Sequence, residues 1–212
     1  MSTRGAAGNH KFATTFIRNM LFIMIFNNRT KNALLGIMLA IYSFFGMNGL
    51  ALGHVEPDMP DAIAEMEYQI LLDIKPADHE IRYLLGMVYF RQKNYDQAVA
   101  ELQRVVAEAP DYPYAYTGLG QVKMVHQEYD AAIVYFRQAI TILPSDNHVY
   151  YFLGQALEAK GNNSEAEQAY RTAIDNHKEM PAEEKKKKRY EKDLVMFQAA
   201  LETLRSAGKT EN

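Results

Sequence analysis

The segment Thr117 to Lys123, TGLGQVK, sets two glycines and a lysine at a spacing that could cradle a phosphate. That chemistry needs a strand before the loop and a helix N-terminus at its end, so that backbone N–H groups point at the anion. Six histidines raise a second chemistry, metal binding. No two of them stand at the HExxH spacing, and the sequence has no cysteine to assist. The missing cysteines also exclude disulfides, iron–sulfur clusters and thiolate zinc sites. His126 and His177 fall near expected inter-helix turns, where exposure to solvent is anticipated. His54 is a separate case. Cleavage after Gly53 would make it the first residue, with an amine and an imidazole able to chelate copper, whereas cleavage after Ala51 would not. No Ser/His/Asp set and no convergent carboxylate pair can be placed. The chain therefore reads as non-enzymatic, with no catalytic residue, no metal site and no cofactor assigned.

The elements that carry TGLGQVK decide the phosphate question. From His79 onward the sequence repeats every 34 residues. Leu85-Gly86, Leu119-Gly120 and Leu153-Gly154 share one phase, and Ala98, Ala132 and Ala166 share another. Leu102, Phe136 and Tyr170 share a third, Tyr95-Asp96 matches Tyr129-Asp130, and Pro76, Pro110 and Pro144 close the units. Leu85, Val88 and Tyr89 have helical spacing, as do Ala98, Leu102 and Val105, and each trio makes one apolar stripe. Small residues at the Gly86 and Ala98 phases let two antiparallel helices approach closely. The proline stops the second helix, because it lacks an N–H and restricts the residue before it.

This order of residues resembles the tetratricopeptide repeat family. The resemblance covers residues 79–180 as three repeats, 79–112, 113–146 and 147–180. It implies an all-α, right-handed superhelical solenoid of helix–turn–helix units, each burying its face against its neighbours. Gly120 is then an inter-helix packing glycine, and Gly118 and Lys123 lie on the same helix, which leaves no phosphate loop.

Residues 54–78 would supply half a repeat, its second helix only, with Ala64 in the Ala98 phase and Tyr68 in the Leu102 phase. That leaves an apolar flank open to self-association. Lys178 stands where repeat three should have its proline, and Pro181 comes three residues later, so a longer second helix is expected. In residues 181–212, Ala182 to Arg205 reads as a single amphipathic helix with the stripe Tyr190, Leu194, Phe197, Leu201 and Leu204, a cap followed by a short tail. Lys185 to Arg189, a run of five cations, reads either as a solvated face or as a contact for an anionic partner or lipid surface.

The resemblance also implies a concave groove lined by the first helices. Carried over residue by residue, its positions are Tyr83, Met87 and Phe90 with Glu80 in repeat one, and Tyr114, Thr117, Gln121 and Met124 in repeat two. Repeat three offers His148, Tyr151 and Gln155 with Glu158. The Lys, Arg and Asn by which some family members grip a terminal carboxylate are replaced here by Tyr83, Met87, Gly118, His148 and Phe152. Tyr and Met offer broad apolar contact with a few hydrogen-bonding tips, suited to an extended or helical segment of a protein or peptide partner.

Residues 1–53 differ from the rest. They hold five basic residues (Arg4, Lys11, Arg18, Arg29, Lys31) and no Asp or Glu, which leaves 18 basic against 26 acidic residues in the remainder. So acidic a body does not suit nucleic acid, which needs a cationic footprint. Asn32 to Gly53 is uncharged and follows Arg29 and Lys31, with small residues at Gly49-Leu50-Ala51 and Ala51-Leu52-Gly53. Residues 1–53 read as a signal peptide or, uncleaved, as a signal anchor in the inner membrane through residues 32–53, with the true start at Met24 as a further reading. Either places the body outside the cytoplasm, in the periplasm. The combined expectation is an exported scaffold for assembly of an envelope complex. Its alternative is an accessory subunit of an envelope enzyme, metal-dependent through His54.

Overall fold

The computed structural model describes residues 60–210, and all their regular structure is helical. The helices are α1 (Asp61–Ile74), α2 (His79–Arg91), α3 (Tyr95–Glu108), α4 (Pro113–Val125) and α5 (Tyr129–Ile142). They continue with α6 (Asn147–Ala159), α7 (Asn163–Glu179), α8 (Ala182–Lys185) and α9 (Lys188–Thr210). Helices α2 and α3, α4 and α5, and α6 and α7 pack as pairs. Each second helix also packs on the following first helix, α1 rests on α2, and α9 docks on α7. This is the expected helical solenoid.

Local chemistry sets each boundary. The second helices α1, α3 and α5 give way at Lys75, Ala109 and Leu143, whose φ angles are −129°, −138° and −131°. Each precedes a proline, whose ring drives that residue out of the helical region. Helix α7 meets no proline at 178 and runs to Glu179, stopping at Met180 just before Pro181. The first helices end differently, with a left-handed residue: Lys93 at φ 65°, Gln127 at φ 60° and Gly161 at φ 85°. There the N–H of Asn94 donates to the Tyr89 carbonyl at 2.9 Å and that of Lys93 to Phe90 at 3.0 Å. The same paired bonds recur at Glu128 and Asn162, closing orphan carbonyls as a Schellman turn does. First helices start on Asp78, which accepts from the Ile81 N–H, on Asp146, which accepts from the His148 N–H, and on Pro113 at the first turn of α4.

The repeat positions pack as the spacing demands. Ala98, Ala132 and Ala166 are fully buried, as are Leu102 and Phe136, with Tyr170 nearly so. A Cβ placed on Gly86 would lie 3.1 Å from Leu102 Cγ, on Gly120 2.4 Å from Phe136 Cε1, and on Gly154 2.5 Å from Tyr170 Cε1. The glycines thus seat the large residue of the partner helix against bare backbone. Burying each such side chain contributes about 1.5–3 kcal/mol. Between turns, Arg82 Nη2 donates to the Pro76 carbonyl, and the Tyr116 hydroxyl donates to the Pro110 carbonyl at 3.0 Å.

Two expectations need correction. Ala182 to Arg205 is not one helix: the chain breaks at Lys186 and Lys187, between α8 and α9. An unbroken helix would set Lys185 beside Lys188 and Arg189 at i+3 and i+4, like-charge pairs that each disfavour it by about 0.2–0.5 kcal/mol. His177 is not exposed; it is 1% accessible. The missing proline at 178 keeps it in the last turn of α7, and α9 covers it.

Candidate peptide-binding groove

The first-helix positions fall into three groups. At the amino-terminal end, Tyr83 and Tyr114 come together with their ring centroids 6.0 Å apart. Tyr112, in the loop before α4, joins both at 5.5 Å and 5.4 Å, and His79 meets Tyr112 at 5.1 Å. Tyr114 is 41% exposed. Burial, followed by Tyr114 and Asp146, pushes the Tyr83 phenol up to about 12. Burial, followed by Tyr83 and Glu80, pushes Tyr112 higher still. Tyr112 and His79 lie outside the carried-over positions. Their signal in the sequence was only that they flank the helix starts.

The middle group is mostly packing. Met87 Sδ stands 3.2 Å from where a Gly118 Cβ would be, so it fills the crossing of α2 and α4. Phe90 meets Tyr95 edge-on at 5.8 Å, and Met124 is partly buried against the core. Thr117 Oγ1 donates to the Pro113 carbonyl at 3.3 Å, and Gln121 is half-buried.

The third group meets the cap. His148 and Tyr151 lie 5.4 Å and 5.3 Å from the Phe197 ring of α9, and Tyr151 also meets Tyr170 at 5.9 Å. Gln155 Nε2 donates to the Tyr151 hydroxyl at 3.0 Å, and burial raises that phenol. His148 Nε2 lies 3.3 Å from Asp193 Oδ2. Burial nevertheless outweighs Asp193 and lowers the His148 pKa. Next to it, Asn147 Nδ2 donates to His177 Nδ1 at 2.8 Å, and His177 Nε2 donates to the Tyr190 carbonyl at 2.9 Å. The His177 ring stacks on Tyr190 at 4.1 Å. These contacts tie α9 to repeat three. Sequence spacing could not show them, because they join a repeat to a segment outside the period.

In the basic run, Lys186 pairs with Glu183, Lys187 with Glu184, and Arg189 with Asp193, all on the surface apart from Asp193. Lys123 pairs with Glu128 at 2.7 Å, within one helix–turn. A cavity of about 310 Å³ lies away from the groove, between α7 and α9, with Arg171, Lys178 and Arg205 on its wall. Among the described residues no group of His, Asp and Glu could hold a metal, and no helix is long and apolar enough to cross a membrane. The segment 32–53, the start at Met24 and the copper reading of His54 lie outside the described residues.

The tetratricopeptide repeat family matches over residues 57–122 and again over residues 117–181. The chain carries tetratricopeptide repeats. Among solved structures, the repeats are similar to MamA, with a TM-score of 0.55 and 22% identity over 84% of this chain and 96% of that one. They are also similar to SycD, the type III secretion translocator chaperone of Yersinia enterocolitica, with a TM-score of 0.54 and 19% identity over 61% and 85%. PcrH, solved in complex with the chaperone binding region of PopD, gives a TM-score of 0.54 and 17% identity over 61% and 92%. At such identities the likeness is one of fold. No curated protein matches the chain in sequence.

Proposed function

We propose that this chain is an exported, non-enzymatic scaffold whose repeats hold a segment of a partner protein during assembly of an envelope complex. The observation that carries the reading is the convergence of Tyr83 and Tyr114 from successive first helices, with Tyr114 left 41% exposed. Half-exposed aromatic side chains fixed on a rigid scaffold are the anchors from which protein interfaces draw most of their energy. The complex of PcrH with a region of PopD supports the reading, since a related fold there receives a polypeptide segment. Export rests on the sequence: a basic stretch, an uncharged run from Asn32 to Gly53, and small residues at its end.

Two experiments test the two halves. Affinity purification from the native envelope with mass spectrometry should recover a partner. Its affinity should fall tenfold or more, about 1.4 kcal/mol, in Tyr114→Ala and stay unchanged in Lys187→Ala. Release by Lys187→Ala alone would move the contact to the basic run. N-terminal sequencing of the native protein should find Leu52 or His54 first if the signal is cleaved, and an intact start if residues 32–53 act as a tether. A soluble cytoplasmic pool would remove the export half.

A further inference from the structure

We propose that Tyr83, Tyr112 and Tyr114 form the pocket for a cationic side chain, Lys or Arg, of the bound segment. The inference rests on the groove reading above and narrows it to one partner chemistry. The three rings are mutually inclined by 65°, 41° and 69° at centroid distances of 5.4 to 6.0 Å, so they cannot stack flat and instead wall a corner. Tyr83 and Tyr112 are partly buried against the core at Leu102 and Leu119, and Tyr114, at 41% exposure, is the ring of the three most open to solvent. An aromatic face carries the negative part of the ring quadrupole and attracts a cation within about 6 Å.

The surrounding charge has the same sign. Asp78 and Glu80 act on Tyr112, and Asp146 acts on Tyr83, each disfavouring a phenolate there. Asp78 and Asp146 cap α2 and α6 through one carboxylate oxygen each, and Glu80 is exposed. No Lys or Arg occurs in residues 76–80, 110–114 or 144–148, the segments that begin the three first helices. Lys75, just before the first of these segments, is exposed and is not among the groups acting on Tyr83 or Tyr112, and Arg82, just after it, pairs with Glu101 and Glu108 and donates to the Pro76 carbonyl. Arg91 opposes the acids at Tyr83 as the weakest of the influences there, and it pairs with Asp61 at 2.7 Å. An anionic segment would meet repulsion at this corner, and a neutral apolar one would desolvate the carboxylates without compensation. A Lys or Arg gains from the ring faces and the carboxylates together.

The test pans the full chain against a random dodecapeptide library, then measures enriched peptides by fluorescence anisotropy. Enrichment of Lys or Arg beside apolar residues is expected. Tyr114→Ala should weaken those peptides about 2- to 30-fold, while Tyr114→Phe, which keeps the ring face, should stay within about 2-fold. Glu80→Gln and added salt should weaken them as well, and replacing the peptide cation by Met should abolish the response to both variants. Diffuse attraction to the acidic body would not respond to Tyr114→Ala, and that outcome overturns the proposal. Enriched neutral or acidic peptides that lose affinity in Gln121→Ala would also overturn it and leave the groove reading standing. Enrichment of nothing, or binding only through Lys185 to Arg189, would overturn both.

Discussion

Gly120→Ala adds one methyl group where the structure has no room. Its Cβ would lie 2.4, 2.7 and 2.9 Å from Phe136 Cε1, Cδ1 and Cζ. Phe136 is fully buried and stacks on Phe152 at 6.0 Å, so the ring cannot swing into solvent. Overpacking of this kind costs about 1–3 kcal/mol, and the better helix propensity of Ala returns at most about 1. A clash as close as 2.4 Å places the cost in the upper half of that range, about 2–3 kcal/mol, for a net loss of about 1–2 kcal/mol, read as a fall in Tm of roughly 2–8 °C. Repeat one supplies the control. At Gly86 the same Cβ would meet Leu102 at 3.1 and 3.2 Å and the Ala98 carbonyl at an ordinary 3.5 Å, so Gly86→Ala should cost clearly less than Gly120→Ala. It also supplies the rescue: Phe136→Leu installs the Leu102 arrangement in repeat two and should absorb most of the Gly120→Ala penalty. The double-mutant cycle, measured by urea denaturation, should therefore give a favourable coupling of about 1 kcal/mol. Lys123→Ala removes only the surface pair with Glu128 and should cost less than about 1 kcal/mol. If Gly120→Ala is as stable as the parent, or its penalty persists unchanged in the Phe136→Leu background, the steric account of the repeat glycines is wrong.

Lys93 and Gln127 hold left-handed backbone that repeat three gives to Gly161, so Lys93→Gly and Gln127→Gly should each stabilise by about 0.5–1 kcal/mol in chemical denaturation. Arg82 ties α2 to Glu101, Glu108 and the Pro76 carbonyl with its side chain 10% exposed. Arg82→Met should lose about 2–3 kcal/mol, short of the cost at a fully buried pair because Glu108 is half exposed, and Arg82→Lys should recover little of it. The His148 pKa is lowered, chiefly by burial, from an ordinary value of 6.5. Between its folded and unfolded values the unfolded chain binds more protons, so this contribution is complete above about pH 6.5 and is lost as pH falls below it. The urea midpoint should therefore drop from pH 7.5 to pH 5.5 by more in the parent than in His148→Gln; equal drops would refute the assignment.

The solenoid was legible because its physics is local. A residue 34 positions away meets the same neighbours, so Gly120 with Phe136 and Gly154 with Tyr170 repeat the Gly86–Leu102 contact in type if not in size. The turn signals were equally explicit, from Pro76 and Pro110 down to the displacement of Pro181 that lengthens α7. What escaped the sequence lacks a period. Residues 182–189 contain only one apolar side chain, Ala182, so no stripe distinguishes a continuous helix from the break at Lys186 and Lys187. His177 sits where the register places a turn, and only the docking of α9 makes it a buried hydrogen-bonded group. The candidate groove residues could be numbered from the repeat, yet Met87 and Phe90 face neighbouring helices closely enough to serve as packing, and Tyr112 enters from a loop to which the repeat pattern assigns no such role.

The cap then determines where a partner would find open surface. Helix α9 packs on α7 as each first helix packs on the second helix before it, so Phe197 meets Tyr151 and His148 as part of a continued stack. A segment entering at repeat three would have to compete with Phe197, Asp193 and the His177–Tyr190 stack, contacts already made within the chain. At the other end Tyr114 has no such neighbour and keeps 41% of its surface in water. The cap thus engages the carboxyl-terminal third of the candidate groove in folding, and under the proposed reading a partner would dock over repeats one and two, where Tyr114 is exposed and Asp78, Glu80 and Asp146 act on its neighbouring tyrosines.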